Sequence, residues 1–284
     1  MMKKLLFATL ALGAVTLLAS HASAVAIHTF DPGGADAELR ESAPLDARGG
    51  GSEIASRIAS GSRNSLIYLK FGVGGLTPAD LANTISIQTH IRNSNLSNGR
   101  IKDSVDPVNN PNAGFDYYVL DPTLTNANWN EATITPTSAF VDGIGYNFDG
   151  NFDTKGSGTP SSPTAGLTFL GTKRFRDLVP PESNLPIGES FNLHLAPGSA
   201  LHSAIVAAQG TAHQTVSIVM SVNHETSSPN SNWLGFNYLF SPKEWVASQG
   251  LPRHWAPSLT IPEPCSFALL GIAGLALVGG RKRG

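Results

Sequence analysis

One glycine-rich stretch of the sequence carries oxygen-bearing side chains at the spacing of a cation-binding loop. Asp149, Asn151 and Asp153 follow one another at intervals of two residues. Hard oxygen ligands at such spacing can surround one Ca²⁺ ion. The stretch departs from an EF-hand, because Thr154 stands at the sixth position and Pro160 at the twelfth. A solvated loop whose side chains only cap turns is the competing interpretation.

Aromatic and basic side chains supply a second kind of candidate site. Trp245 and Trp255 flank a loop rich in proline and glycine, which makes them the best candidates for exposure among the aromatic residues, with burial in the core as the competing interpretation. Exposed indole rings combine an apolar face with a polar edge and can stack on sugar rings. The densest basic cluster away from the termini would meet an acidic polysaccharide, with a solvated loop end as the competing interpretation. Its members are Lys173, Arg174 and Arg176.

Catalytic motifs are missing from the sequence. It contains no G-x-S-x-G nucleophile elbow, phosphate loop or dinucleotide fingerprint. Cys265 is the only cysteine, so an intrachain disulfide and a cysteine-based metal site are excluded. Carboxylate pairs such as Glu131 with Asp142 would suit a glycosidase or lyase, but the sequence offers too many carboxylates for any one pair to be specific. We therefore expect no enzymatic activity.

The composition excludes further function classes. The net charge is −2 and no basic stripe is visible, so we expect no nucleic-acid partner. Hydrophobic residues make up 41% of the chain, which is too apolar for a disordered protein. The 29 glycines and 19 prolines lie between short apolar runs, and this pattern favours a turn-rich all-β fold.

Several short segments have the length and periodicity of strands, and turn residues separate them. We interpret them as a β-sandwich with one or two short helices. A helix is predicted over 199–209. A separate short turn is predicted after Thr77, which would cap it. The stretch 138–163 is predicted to be a long surface loop. The predicted strands are 65–71, 84–91, 115–120, 167–170, 191–195, 215–223, 232–240 and 257–261.

The N-terminal residues have the three parts of a secretory signal. Lys3 and Lys4 supply positive charge, an apolar stretch follows, and small residues precede the next segment. We expect residues 1–24 to form a signal helix that signal peptidase removes during export across the inner membrane. An N-terminal membrane anchor or a buried helix is the alternative, although the apolar run is short for a membrane span. The predicted cleavage site comprises Ala22, Ala24 and Val25.

The C-terminal residues form a second membrane-directed segment. Residues 265–280 carry no charge, and their number is near the lower limit for a transmembrane helix. The basic residues that follow would stay on the cytoplasmic side of the inner membrane. These basic residues are Arg281, Lys282 and Arg283.

The layout of this terminus resembles the PEP-CTERM sorting signal, because Pro262, Glu263 and Pro264 precede the apolar segment and the basic cluster closes the chain. The resemblance covers residues 262–284. It implies processing by an exosortase, a membrane transpeptidase or protease of Gram-negative bacteria that make exopolysaccharide. A plain single-pass anchor is the alternative.

The expected mature domain, 25–261, resembles a DNRLRE-type domain in the order of its features. Its WNEATIT segment is similar to the family's W-x-E-x-T-V-T-W, but Pro136 stands where the family has tryptophan. The resemblance implies a jelly-roll-like β-sandwich of bacterial surface proteins, among them carbohydrate-binding modules of the family 96 type for uronic-acid polymers. It also places Trp129 in the core. The similar segments are 64–71, 84–91, 118–120, 129–135, 191–209 (without the tryptophan that the family has there), 239–244 and 257–261.

Together these features predict a secreted, exosortase-processed protein of the cell surface or extracellular matrix. We expect a structural or adhesive role with weak binding to exopolysaccharide. A polysaccharide-active lyase or glycoside hydrolase at the cell surface is the alternative.

Overall fold

The computed structural model describes residues 24–40, 42–58, 65–94, 114–139, 166–174, 177, 188, 190–223 and 236–262. The chain divides into two compact units. One unit is Ala26–Thr260, and the other consists of the terminal segments Met1–Val25 and Ile261–Gly284. The predicted signal helix (1–24) and transmembrane helix (265–280) lie almost wholly outside the described residues, which begin at 24 and end at 262. Among those that are described, no helix has the length and apolar character needed to cross a membrane.

The described part of the chain contains eleven strands, and its helices are few and short. The fold is thus all-β, as the turn-rich composition predicts. The helices are α1 (Pro136–Ala139), α2 (Ala200–Gln209) and α3 (Lys243–Ser248), with 3₁₀ turns at Asp80–Ala82, Thr125–Asn128 and Arg253–Trp255. The strands are β1 (Val25–His28), β2 (Ala35–Arg40), β3 (Ile54–Ile58), β4 (Ser65–Gly72), β5 (Ile85–Ser94), β6 (Gly114–Leu120), β7 (Leu167–Arg174), β8 (Ser190–Leu195), β9 (Thr215–Asn223), β10 (Phe236–Phe240) and β11 (Ser258–Ile261).

The strands form two antiparallel sheets that meet at β5. One sheet contains β8, β5 and β11, with β1 beside β11. The other runs β10-β3-β4-β9-β6-β7, and β2 adds to it along β4. The first part of β5 pairs with β8, whereas its end pairs with β10. One long strand therefore joins the two sheets.

Three phenylalanines fill the space between the sheets. Phe191 comes from the β8 sheet, and Phe115 and Phe240 come from the other. All three are fully buried, and each ring meets the other two edge to face, with centroids 5.1–5.9 Å apart. Aromatic rings prefer this geometry because the positive edge of one faces the negative face of the next.

The larger sheet is covered on its second face as well, by the segment 121–139. Trp129 of this segment meets Tyr68 of β4 edge to face at 6.2 Å. Its indole Nε1 donates a hydrogen bond of 3.0 Å to Ser217 Oγ on β9. Trp129 is 7% exposed, which confirms its predicted place in the core. Burial on both faces explains why β4 is an almost continuous apolar run.

The predicted helix over 199–209 is confirmed as α2, with Ser199 at its N-cap and Gly210 at its C-cap. A turn follows Thr77 as predicted, and the Thr77 hydroxyl accepts a hydrogen bond from the Asp80 amide at 3.2 Å, but the N-cap of the 3₁₀ helix itself is Ala79. Strands β1, β2 and β3 and helices α1 and α3 were not predicted. In β2 the period of two is present, but Asp36 is buried where a polar residue suggests a solvated face.

Candidate functional site

Helix α3 is the element that positions two groups of functional side chains. It begins directly after Pro242 at the end of β10, and it has only six residues. Val246 is fully buried and holds the helix against the protein. Its first two residues, Lys243 and Glu244, reach a group of carboxylates, and the third, Trp245, reaches Trp255.

Trp245 and Trp255 are both partly exposed, and the structure brings them together. Their ring centroids are 6.5 Å apart, with the planes tilted by 55°. The guanidinium carbon of Arg92 lies 4.9 Å from the centroid of the Trp245 ring, which is a cation–π contact. Arg92 and His90 both belong to β5. We call Trp245, Trp255, His90 and Arg92 the aromatic platform.

Trp255 is held in place from two sides. Its ring stacks on that of His90, with centroids 5.8 Å apart and planes 23° from parallel. Gly188 approaches the ring closely, because a Cβ added there would lie 2.7 Å from Trp255 Cη2. Gly188 also has a φ of +88°, which side chains rarely adopt. The glycine therefore fits both the backbone geometry and the close approach of the indole.

His90 supports the platform as a neutral ring. It is 5% exposed, and burial lowers its pKa to about 4, with the nearby His254 contributing in the same direction. The His254 ring lies 6.1 Å away, edge to face. The positive charge of the platform at neutral pH is therefore that of Arg92.

A groove of about 630 Å³ continues from the platform. It is lined by the outer residues of β2 and by the segment 45–53. Arg92 reaches this segment, because it donates a hydrogen bond to the Ser52 carbonyl and lies 3.4 Å from Glu53 Oε1. Arg40 and Arg48 lie in the groove as further cations. Arg92 is thus the residue through which the platform contacts the lining of the groove.

Three carboxylates from distant parts of the chain meet beside the N-terminus of α3. Asp36 of β2, Glu131 of the turn after Trp129, and Glu244 of α3 each offer an oxygen within 4.8 Å of the others. We call these three residues the carboxylate cluster. Lys243 Nζ forms an ion pair with Glu131 and lies 3.7 Å from Glu244 Oε1.

The backbone ties the carboxylate cluster to the edge of the sheet. The Asp36 amide donates to Glu131 Oε1 at 3.3 Å, so Glu131 covers a free edge N–H of β2. The Lys243 amide donates to Asp36 Oδ2 at 3.2 Å. A Cβ on Gly49 would collide with the Glu131 backbone, so the segment 45–53 packs tightly on the turn that carries Glu131.

Burial raises the pKa values of two acids of the cluster, Asp36 and Glu244. Asp36 has no exposed surface, and its burial raises the pKa to about 6, although the Thr29 hydroxyl and the Lys243 amide act in the opposite direction. The pKa of Glu244 rises to about 8, first through burial and then through the charge of Asp36. Lys70 Nζ donates to the Trp129 carbonyl, and its burial lowers its pKa. Burial and mutual repulsion therefore disfavour the ionised forms of Asp36 and Glu244.

The other predicted site residues have different locations. Lys173 and Arg174 end β7, which four strands separate from β10 in the larger sheet, so they do not adjoin the platform within it. Arg176 lies outside the described residues, as do the whole predicted calcium loop and most of the residues of the signal and sorting segments. Those predictions stay predictions.

The carboxylate cluster is the feature that sequence reasoning missed. Glu131 was considered only with Asp142, which lies outside the described residues. No spacing or period connects Asp36, Glu131 and Glu244, since the fold alone brings them together. The alternation of β2 gave no signal either, because it predicts a solvated face for Asp36, whereas the strand is buried on both faces.

No protein-family model matches the chain, and no curated protein matches it. What the chain does is therefore inferred from its own residues and geometry.

Proposed function

We propose that this protein is a secreted surface or matrix protein that binds acidic exopolysaccharide through the aromatic platform. The observation that carries the proposal is the pairing of Trp245 with Trp255, next to the guanidinium of Arg92. Two tilted, partly exposed indoles offer apolar faces to successive sugar rings. Arg92 offers paired donors to a sugar carboxylate.

The groove beside the platform extends the proposed contact surface. A polymer that stacks on the tryptophans would continue past Ser52 toward Arg40 and Arg48, whose charges suit uronic-acid units. The acids Glu38, Asp46 and Glu53 line the same groove. Mixed charge of this kind favours weak and reversible contact, which fits a structural or adhesive role better than tight capture of a ligand.

The finer fold and the family are part of this proposal. Two antiparallel sheets with few helices are compatible with a jelly-roll-like sandwich. The resemblance to DNRLRE-type domains and to family 96 carbohydrate-binding modules supports uronic-acid polymers as the ligand class. The basic pair Lys173 and Arg174 on β7 remains a proposed second contact for such a polymer, as does Arg176.

The route to the cell surface is proposed from the two ends of the chain. Residues 1–24 would be removed by signal peptidase, and 262–284 would direct the protein to an exosortase at the inner membrane. The mass of the mature C-terminus tests this route in hosts with and without exosortase. A chain ending near Pro262 outside the cell supports it, and a tail intact through Gly284 with exosortase present contradicts it.

Binding is tested by electrophoresis of the full chain through gels that contain alginate, a polymer of uronic acids, or neutral dextran. We expect alginate to retard the wild type and dextran to leave it unaffected. The Trp245→Ala variant should migrate freely in both gels. Phe169→Ala is the matched control, because Phe169 is 51% exposed but lies on β7. Equal retardation of Trp245→Ala and the wild type would refute the proposed platform.

An enzyme acting on polysaccharide is the second candidate, and the raised pKa values of Asp36 and Glu244 favour it, because such groups gather at catalytic sites. Asp36, however, has no exposed surface with which to reach a sugar. Incubation with alginate, followed by measurement of new reducing ends and unsaturated uronic acid, separates the two candidates. We expect neither product to form.

A further inference from the structure

The oxygens of the carboxylate cluster are close enough to share one ion. Ca²⁺ binds oxygen ligands at about 2.3–2.6 Å, so two ligands of one ion lie up to about 5 Å apart. The three carboxylates meet this limit, with oxygens within 4.8 Å of one another. The Gly34 carbonyl is a further oxygen nearby, since it lies 3.5 Å from the Lys243 ammonium that contacts Glu131.

Two buried oxygens of the cluster make no hydrogen bond of good geometry. These are Asp36 Oδ1 and Glu244 Oε2. The Thr29 hydroxyl faces Asp36, yet its oxygen also makes no hydrogen bond of good geometry. A buried carboxylate oxygen without a partner is costly, and native proteins rarely keep one unless something else satisfies it. Asp36 is wholly buried, so bulk water does not meet this need.

The charges around the cluster leave room for a further cation. When all three carboxylates are ionised they carry three negative charges, and Lys243 supplies one positive charge among them. Lys70 acts on Glu131 from a separate position, where its ammonium is bound to the Trp129 carbonyl. Negative charge therefore remains in excess beside the buried Asp36.

We propose that Asp36, Glu131, Glu244 and the Gly34 carbonyl form a binding site for one hard divalent cation of the Ca²⁺ type. Lys243 is the internal cation that holds the site when no ion is bound. The Lys243 side chain is 16% exposed, and those of Glu131 and Glu244 are 19% and 27% exposed. The ammonium can therefore swing into solvent as the ion enters. This site is separate from the predicted loop at Asp149, Asn151 and Asp153, and it does not depend on the proposed function.

Calorimetric titration of the chelator-treated full chain with CaCl₂ tests the site. We expect the wild type to bind Ca²⁺ and Asp36→Asn to lose at least tenfold in affinity, because the buried carboxylate is replaced by a neutral amide of the same shape. Lys243→Met should bind more tightly than the wild type, because its competing ammonium is gone. Glu53→Gln is the matched control, since Glu53 is an exposed acid outside the cluster, and it should bind as the wild type does.

Thermal unfolding of each variant shows that it remains folded and provides a second measurement. Added Ca²⁺ should raise the melting temperature of the wild type and of Asp149→Asn, but not that of Asp36→Asn. Glu244→Gln serves in place of Asp36→Asn if the latter does not fold. The proposal is refuted by the absence of any Ca²⁺ effect on the wild type, by equal affinity of Asp36→Asn, or by loss of all binding in Asp149→Asn.

Discussion

Two neighbouring parts of the molecule, the aromatic platform and the carboxylate cluster, share helix α3 but are held together by opposite means. In the platform, Trp255 is fixed by close packing on His90 and Gly188. In the cluster, Asp36 and Glu244 repel each other, and Lys243 only partly offsets this repulsion. The platform is thus a rigid surface, whereas the cluster is a strained group of charges.

This difference between the platform and the cluster suggests a different function for each. A rigid aromatic surface loses little conformational entropy when it binds a sugar chain, which suits recognition. Buried like charges destabilise the folded chain unless a proton or an ion joins them, and this suits a site that responds to its surroundings. Substitutions in the platform should therefore destabilise the fold, while neutralising a carboxylate should stabilise it.

Removal of the Trp255 ring should have the largest effect. We expect Trp255→Ala to lower the free energy of unfolding by about 3 kcal/mol, because the ring leaves a cavity against His90 and Gly188. Urea denaturation of the wild type and the variant measures this difference. A loss below about 0.5 kcal/mol would mean that Trp255 is not part of a packed platform.

Addition of a methyl group at Gly188 should cause the second-largest loss of stability. Gly188→Ala combines a strained positive φ with a contact of 2.7 Å to Trp255, and we expect a loss of about 2 kcal/mol. Gly198→Ala is the matched control, since Gly198 has a φ of +78° with nothing within 4 Å of its added Cβ. Urea denaturation of both variants separates backbone strain from the contact with the indole. Equal losses would show that the contact does not matter.

Neutralising Asp36 should stabilise the fold, in contrast to the substitutions in the platform. In chelator at pH 8 we expect Asp36→Asn to raise the free energy of unfolding by about 1 kcal/mol, because a buried charge disappears. Lys243→Met should lower it by a similar amount, since the remaining charges lose their internal cation. Denaturant unfolding at fixed pH and in chelator measures both. Destabilisation by Asp36→Asn would contradict the view that this cluster is strained.

Because His90 is neutral in the folded protein, it should make the stability of the fold depend on pH. Burial lowers its folded pKa to about 4, whereas the unfolded value is about 6.5. Between these values the unfolded chain binds more protons, so this residue makes stability fall as pH decreases from 6.5 toward 4. We expect His90→Gln to reduce the fall by about 1 kcal/mol, allowing for solvent screening. Unfolding curves measured across this window for both proteins test it, and parallel curves would contradict it.

The two regions also differ in how far the sequence predicts them. Trp245 and Trp255 were found because an aromatic residue beside a proline- and glycine-rich loop is conspicuous in a single segment. Their expected exposure was only partly right, since the fold packs them against each other and against β5. That contact depends on pairing between β5 and β10, which no local pattern reveals.

The carboxylate cluster was beyond prediction for a similar reason. Strands such as β5 and β9 follow from their own periodicity, because apolar and polar side chains alternate along each of them. Asp36 and Glu131 are 95 residues apart and meet only because β2 lies at a sheet edge that the turn covers. A buried acid in a strand contradicts the usual pattern, and such conflicts between local sequence and fold mark functional or strained positions.

The most direct test of the proposed binding surface is the affinity of the full chain for short uronic-acid oligosaccharides in solution, measured by calorimetry. Trp245→Ala is the decisive variant, because it leaves the packing of Trp255 on His90 and Gly188 in place and should therefore remain folded. We predict binding by the wild type and by Phe169→Ala, and at least a tenfold loss in Trp245→Ala. Equal affinity of all three proteins, or no binding by the wild type, would contradict the role of the aromatic platform.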